Sequence, residues 1–121
     1  MDIPPASTPI VCDLSTAPET PEQRLAEYRR LFAQALAGRE RTPLGIRFRF
    51  HPQPGVEDWV RDLAAREKAC CAFFAFDITA DESAIVWDCA VPDNPQARAV
   101  LDEFYALPDT QSGLRIPHAR R

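Results

Sequence analysis

The chain has 121 residues, of which 14 are Lys or Arg and 18 are Asp or Glu, so its formal net charge is −4 at pH 7. This length predicts one domain, and a composition that is 45% hydrophobic with 4 glycines is typical of a globular chain rather than a disordered or repetitive one. The acidic balance argues against nucleic-acid binding, which needs clustered Lys and Arg. The longest uncharged apolar stretch, residues 69–76, is too short to cross a membrane.

Residues 1–19 are rich in Pro, Ser and Thr, and we expect an extended, partly ordered segment in which residues 10–14 form an optional edge strand. The segment has neither the basic nor the apolar region of a secretory signal, so we expect a soluble, cytoplasmic protein. Because cytosolic thiols are kept reduced, the four cysteines are expected to be free thiols rather than a disulfide framework.

The first helix is predicted over residues 21–37. Thr20, Pro21 and Gln23 combine an N-cap, a proline at the first helical position and a capping-box glutamine. Apolar residues then recur at three- and four-residue spacing, and Gly38 is a natural end to the helix.

The later elements follow from the same periodicities. Patterns of period two and of helical period predict, in chain order, a strand over 44–50, a helix over 56–71, a hairpin of strands over 74–79 and 85–91, and a helix from Pro95 that ends before Pro108. This order predicts an α+β fold, a small, mainly antiparallel sheet of three to four strands with helices packed on one face. We expect a single domain over residues 20–108 and a loose tail over 109–121. If the strands that begin near residues 44 and 74 are neighbours, they should run parallel.

Glu67 is the most informative residue of the second predicted helix. It lies in the middle of the apolar stripe, whereas the other charged residues of the helix lie outside that stripe. A carboxylate that faces a core must be hydrogen-bonded, paired, ligated or protonated. Its nearest neighbours on this face are Cys70 and Cys71, three and four residues later. Three phenylalanines are expected to wall the cluster, namely Phe73, Phe74 and Phe76.

The two neighbouring thiols suit soft-metal binding better than redox catalysis. A helix C-terminus and an adjacent carboxylate both disfavour a thiolate, which argues against peroxidase or disulfide-exchange chemistry. A soft metal overcomes this unfavourable setting for a thiolate, because coordination removes the thiol proton. The candidate metals are Hg(II), Cu(I), As(III) and zinc. The spacing is not that of a closed four-ligand zinc site, and Cys12 is a third ligand if the N-terminal segment lies over the end of the helix. The plainer alternative is that Glu67 forms hydrogen bonds and the cysteines are small buried hydrophobes.

A resemblance supports the metal interpretation. The stretch Glu67-Lys-Ala-Cys70-Cys71-Ala-Phe73-Phe74-Ala-Phe76, preceded by Cys12-Asp-Leu14 and by a helix that carries Arg24, resembles a small uncharacterised bacterial domain. That domain occurs alone and as a C-terminal extension of some MerR-type heavy-metal regulators. The resemblance covers residues 12–107 and implies recognition of a thiophilic metal by Cys12, Cys70 and Cys71 with Glu67 beside them. DNA binding is not implied, because the chain has no helix-turn-helix segment.

Three functions are weighed from the sequence. The leading prediction is a binding protein whose Cys70/Cys71 pair, with Cys12, captures a soft metal ion or a mercury-like organometal. The second is an enzyme that cleaves organomercurials with Glu67 as proton donor, since a carbon–mercury bond held by two thiolates must be protonated to break. The third is a non-catalytic interaction module with structural cysteines, whose apolar surface forms a homodimer or binds a partner protein.

Overall fold

The computed structural model describes residues 1–110 of the chain, so residues 111–121 of the predicted tail lie outside the described part. Its elements in chain order are α1 (Pro21–Ala35), β1 (Leu36–Arg41), β2 (Gly45–Phe50), α2 (Val56–Cys70), β3 (Ala75–Ala80), β4 (Ile85–Ala90) and α3 (Pro95–Thr110). All strand pairs within residues 1–110 are antiparallel, in the order β1-β2-β4-β3. The predicted α+β class is confirmed. The β2 and β3 strands are separated by β4, so the parallel pairing considered for them does not arise.

The predicted start of α1 is confirmed in detail. The Thr20 hydroxyl accepts a hydrogen bond from the backbone N–H of Gln23 at 3.1 Å, and the Gln23 side chain accepts one from the backbone N–H of Thr20 at 2.8 Å. These two bonds satisfy N–H groups that have no partner inside the helix. The helix ends at Ala35, two residues before the predicted end at 37, because β1 begins at Leu36.

The β1 strand was missed from the sequence. Three of its six residues are charged, and its pairing with β2 shifts register between Leu36 and Gly38, which interrupts the period-two pattern that would have marked a strand. Gly38 therefore lies inside a strand rather than at a helix end. Residues 10–14, by contrast, form no strand within the described part of the chain.

The α3 helix runs to Thr110 and includes Pro108, where the sequence predicted it to have ended. A proline this close to the end of a helix removes a single hydrogen bond. Two arginines of β1 hold this last part of the helix. The Arg39 guanidinium donates to the carbonyl of Tyr105 at 2.6 Å, and the guanidinium carbons of Arg39 and Arg41 lie 4.7 and 4.4 Å from the centre of the Tyr105 ring.

The core lies between the helices and one face of the sheet. Along β2, Ile46, Phe48 and Phe50 are fully buried and alternate with the partly exposed Arg47 and Arg49, as period two requires. Six aromatic side chains from helices and strands contact one another here: Tyr28, Phe32, Phe48, Phe50, Trp87 and Phe104. None of the helices in residues 1–110 has the length and apolarity needed to cross a lipid bilayer.

Candidate thiol and carboxylate site

Cys12 and Cys71 form a disulfide that ties the N-terminal segment to the C-terminal end of α2. Their Cα atoms lie 4.3 Å apart across a sequence separation of 59 residues. The backbone N–H of Asp13 donates to the carbonyl of Cys70 at 2.9 Å, and Ile10 and Leu14 pack against the core, so the segment is fixed on both sides of Cys12. The expectation of four free thiols is therefore wrong. That expectation was based on the reducing conditions of the cytosol. In the structure, docking of the N-terminal segment on α2 holds these two sulfurs within bonding distance.

Cys70 faces a different group from its neighbour. Its sulfur accepts a hydrogen bond from Nη2 of Arg24 at 3.7 Å, and its thiol is free and buried. Cys71 is the C-cap of α2, and its backbone angles, φ −122° and ψ 77°, are no longer those of a helix. Its side chain therefore turns towards Cys12. The predicted Cys70/Cys71 pair is thus divided between two partners. The fourth cysteine, Cys89, is also a free buried thiol, and burial raises its pKa well above the ordinary value.

Glu67 lies between these groups and has the hydrogen bonds that its position on the apolar stripe required. Its Oε1 accepts from the Tyr28 hydroxyl at 2.7 Å and from Nη1 of Arg24 at 3.2 Å. Its Oε2 lies 3.4 Å from the sulfur of Cys71. Burial and the negative charge of Glu67 raise the pKa of Tyr28, so the phenol keeps its proton and remains a donor.

Arg24, which the sequence analysis named only as part of the resemblance and gave no role, is a direct neighbour of Glu67. It is the one charged residue of the described chain that is buried, with 4% of its surface exposed. Burial opposes its charge, but hydrogen bonds with Glu19 at 2.6 Å and with Cys70 raise its pKa above the ordinary value. Arg24 precedes the buried Tyr28 by four residues, so the helical-stripe test that identified Glu67 would have found it as well.

Glu19 provides a pH-dependent test of this network. A hydrogen bond from Arg24, opposed by burial and assisted by Arg66, lowers the pKa of Glu19 from 4.5 to about 2. The pKa of Glu19 is lower in the folded state than in the unfolded state, so its ionised carboxylate stabilises the fold. This stabilisation is present above about pH 4.5 and is lost as the pH falls towards 2. We therefore expect the free energy of unfolding, measured by urea titration of the oxidised protein, to fall across this range.

The Glu19→Gln variant should show a shallower fall over the same range of pH, since it lacks the titrating group. Glu22→Gln is the matched control, because Glu22 is an exposed carboxylate in the first turn of α1. Identical slopes in wild-type protein and Glu19→Gln would contradict the assigned role of Glu19.

Two cavities lie on either side of Glu67. One, of about 160 Å³, is lined by the disulfide cysteines, Phe74 and the α3 residues Val100, Glu103, Phe104 and Leu107. The other, of about 250 Å³, is lined by side chains of α1 and the N-terminal segment, including Leu14 and Leu25. Both cavities share Glu67, Phe104 and Leu107. They form an apolar groove with a carboxylate at its middle and sulfur at one end.

Of the three phenylalanines expected to wall the site, Phe74 lines the cavity beside the disulfide. Phe73 and Phe76 stack against Phe74, with ring centres 4.7 and 5.0 Å away. They fix the orientation of Phe74 rather than contact the cavity.

The predicted set of three cysteine ligands is not assembled in this oxidised state. Within residues 1–110, no three His, Cys, Asp or Glu side chains are grouped so as to hold a metal ion. The sulfurs that do meet are those of Cys12 and Cys71.

These features define a small α+β protein with a disulfide, a buried arginine and a carboxylate at the end of one helix. Comparisons with protein-family models, curated proteins and solved structures found no match to this chain. The resemblance to the Glu-x-x-Cys-Cys-x-Phe domain therefore stays a prediction, and function has to be argued from the site.

Proposed function

We propose that the reduced protein binds a soft, thiophilic metal centre through Cys12 and Cys71, with Glu67 beside the site. The observation that carries this is the position of the two sulfurs, which meet at the edge of an apolar cavity with Glu67 Oε2 3.4 Å from Cys71. Thiolates are the ligands that soft metals select. In this proposal Cys12 replaces Cys70 as the partner of Cys71 in the central pair of ligands.

Binding requires that the disulfide first be reduced. A small dithiol supplies the two electrons and is itself oxidised to a disulfide, which leaves thiols on Cys12 and Cys71. Cys12 is exposed, so the bond is accessible to such a reductant. Metal binding then displaces the thiol protons, and Glu67 is placed to accept the one from Cys71.

Two sulfurs support a soft ion of low coordination number better than zinc. A structural zinc ion takes four ligands in tetrahedral geometry. Cys70 and Cys89 are buried elsewhere, with Cys70 held by Arg24, and neither is grouped with the pair. Hg(II) and Cu(I) are the ions that suit such a two-thiolate site.

The acceptor role of Glu67 favours binding over cleavage of a carbon–metal bond. A proton donor must hold a proton, yet Oε1 of Glu67 accepts hydrogen bonds from both Tyr28 and Arg24. Both partners are donors, so the contacts of Oε1 are those of a hydrogen-bond acceptor. We therefore propose a binding protein and assign Glu67 to positioning and proton acceptance.

The test is competition for Hg(II) between the reduced protein and excess glutathione, followed by native mass spectrometry. We expect Cys12→Ser and Cys71→Ser each to lower the affinity at least about a hundredfold, since even loss of an outer partner of a metal ligand costs ten- to a hundredfold. Cys70→Ser is the matched control and should retain the wild-type affinity, because its sulfur contacts Arg24 rather than the pair. Equal losses in Cys70→Ser and Cys71→Ser, or no loss in Cys12→Ser, would contradict the proposal.

A further inference from the structure

We propose that the preferred ligand of the reduced Cys12/Cys71 pair is a monosubstituted trivalent arsenical that carries an aryl group. The arsenic is bound by both sulfurs and the ring occupies the 160 Å³ cavity beside them. This inference rests on the proposed function and names the class of ligand for the same site.

The spacing of the two sulfurs favours a pyramidal centre. Cys12 and Cys71 are near enough to bond to each other, with Cα atoms 4.3 Å apart. Trivalent arsenic holds two sulfurs on the same side at an angle near a right angle, whereas linear Hg(II) places them on opposite sides of the metal. The arsenic complex therefore needs the smaller separation of the two side chains.

The third bond of the arsenic is then left for carbon. Inorganic arsenic(III) is best held by three thiolates, but the sulfur of Cys70 is hydrogen-bonded to Arg24 and is not grouped with the other two. A monosubstituted arsenical needs only two sulfurs, because its organic group already fills the third valence. Two thiols are therefore its complete ligand set.

The cavity beside the sulfurs is suited to an aromatic ring. It measures about 160 Å³, and its apolar lining comes from Phe74, Val100, Phe104 and Leu107, while Glu67 and Glu103 add two carboxylates to the lining. An enclosed apolar cavity of about 150 Å³ is large enough to bind benzene, so this depression, which is open to solvent on one side, has room for a phenyl ring. A phenyl group on the arsenic would thus cover apolar side chains with one of its faces, whereas a hydroxyl group there would gain little.

The binding step balances without any oxidant. After a dithiol has reduced the disulfide, each thiol replaces one hydroxyl group of an arylarsonous acid. Two As–OH and two S–H bonds break, two As–S bonds form, and two water molecules leave. The arsenic stays trivalent, and Glu67 is placed to pass the proton of Cys71 to a departing hydroxyl group.

The experiment compares three probes on the reduced wild-type protein: phenylarsonous, methylarsonous and arsenous acid. Each competes against dithiothreitol, so that differences in intrinsic arsenic–sulfur affinity cancel. We expect phenylarsonous acid to bind at least about tenfold more tightly than methylarsonous acid, as burial of the additional ring carbons requires. Native mass spectrometry should show one phenylarsenic group in place of two hydrogens, and none in Cys12→Ser.

Two matched variants test which cavity the phenyl ring occupies. Val100→Phe fills the cavity beside the sulfurs from a half-buried position and should weaken phenyl binding more than methyl binding, so that the preference for phenyl is lost. Leu25→Phe makes a similar change in the 250 Å³ cavity and should keep the preference.

The outcomes separate the two proposals. If neither Hg(II) nor any arsenical binds to Cys12 and Cys71, the proposed function itself is overturned. If Hg(II) binds but wild-type protein shows no preference for phenyl over methyl, only the arsenical inference is overturned. A preference that survives Val100→Phe and disappears in Leu25→Phe overturns the assignment of the ring to this cavity.

Discussion

Replacement of Arg24 by methionine should lower the free energy of unfolding by about 3 kcal/mol or more. Arg24 is 4% exposed and bridges the carboxylates of Glu19 and Glu67. Methionine preserves much of the apolar contact but leaves Glu67 without its cationic partner and Glu19 with Arg66 alone. The loss of one partner from a buried ion pair is costly because the remaining charge is not solvated.

The measurement is urea-induced unfolding of the oxidised protein at neutral pH. Arg29→Met is the control, since Arg29 is an exposed arginine of the same helix, and its effect should stay within about 0.5 kcal/mol. The double variant Arg24→Met/Glu67→Gln should be less destabilised than the sum of its single changes, because the unpaired carboxylate is then neutral. A loss below about 1 kcal/mol for Arg24→Met would show that the ion pairs are not coupled to folding.

Reduction of the Cys12–Cys71 disulfide should lower the free energy of unfolding by about 4 kcal/mol. The bond joins residues 59 positions apart and so encloses about half of the chain. A crosslink of this span removes conformational entropy from the unfolded state, and reduction restores it. The folded structure should persist, because Leu14 and other residues of the segment still pack against the core.

Urea titrations with and without reductant measure this difference. Cys12→Ser should match the reduced wild-type protein and show no further response to reductant. Cys70→Ser should respond as wild type does, since Cys70 is a free thiol. A response to reductant that persists in Cys12→Ser would assign the effect to another pair of cysteines.

Most of the fold could be predicted from local patterns in the sequence. The capping box at Thr20, the alternation along β2 and the hairpin of β3 and β4 depend on residues close together in the chain, and all three are present. The position of the charged Glu67 on an apolar stripe also predicted that it would have hydrogen-bond partners, because burial of an unpaired carboxylate is too costly. Its partners, Tyr28 and Arg24, come from another helix.

The features that the sequence did not reveal depend on contacts between distant segments. The disulfide requires the N-terminal segment to dock on α2, and nothing in the spacing of Cys12 and Cys71 encodes that approach. The division of Cys70 from Cys71 follows from the backbone leaving helical geometry at Cys71, whereas a helical wheel assumes that the helix continues. The β1 strand was hidden because its register shift near Gly38 interrupts the alternation.

The irregular, charged character of β1 has a consequence for association between molecules. In the described sheet β1 is an edge strand, and such an edge exposes unpaired backbone groups that another chain can extend. Here Arg39, Glu40 and Arg41 occupy that edge, and the register shift beside Gly38 bends it. Two antiparallel copies of β1 paired about Glu40 would place Arg39 opposite Arg41 and the two Glu40 carboxylates opposite each other. We expect this edge to resist aggregation, and a homodimer, if one forms, to use a different surface.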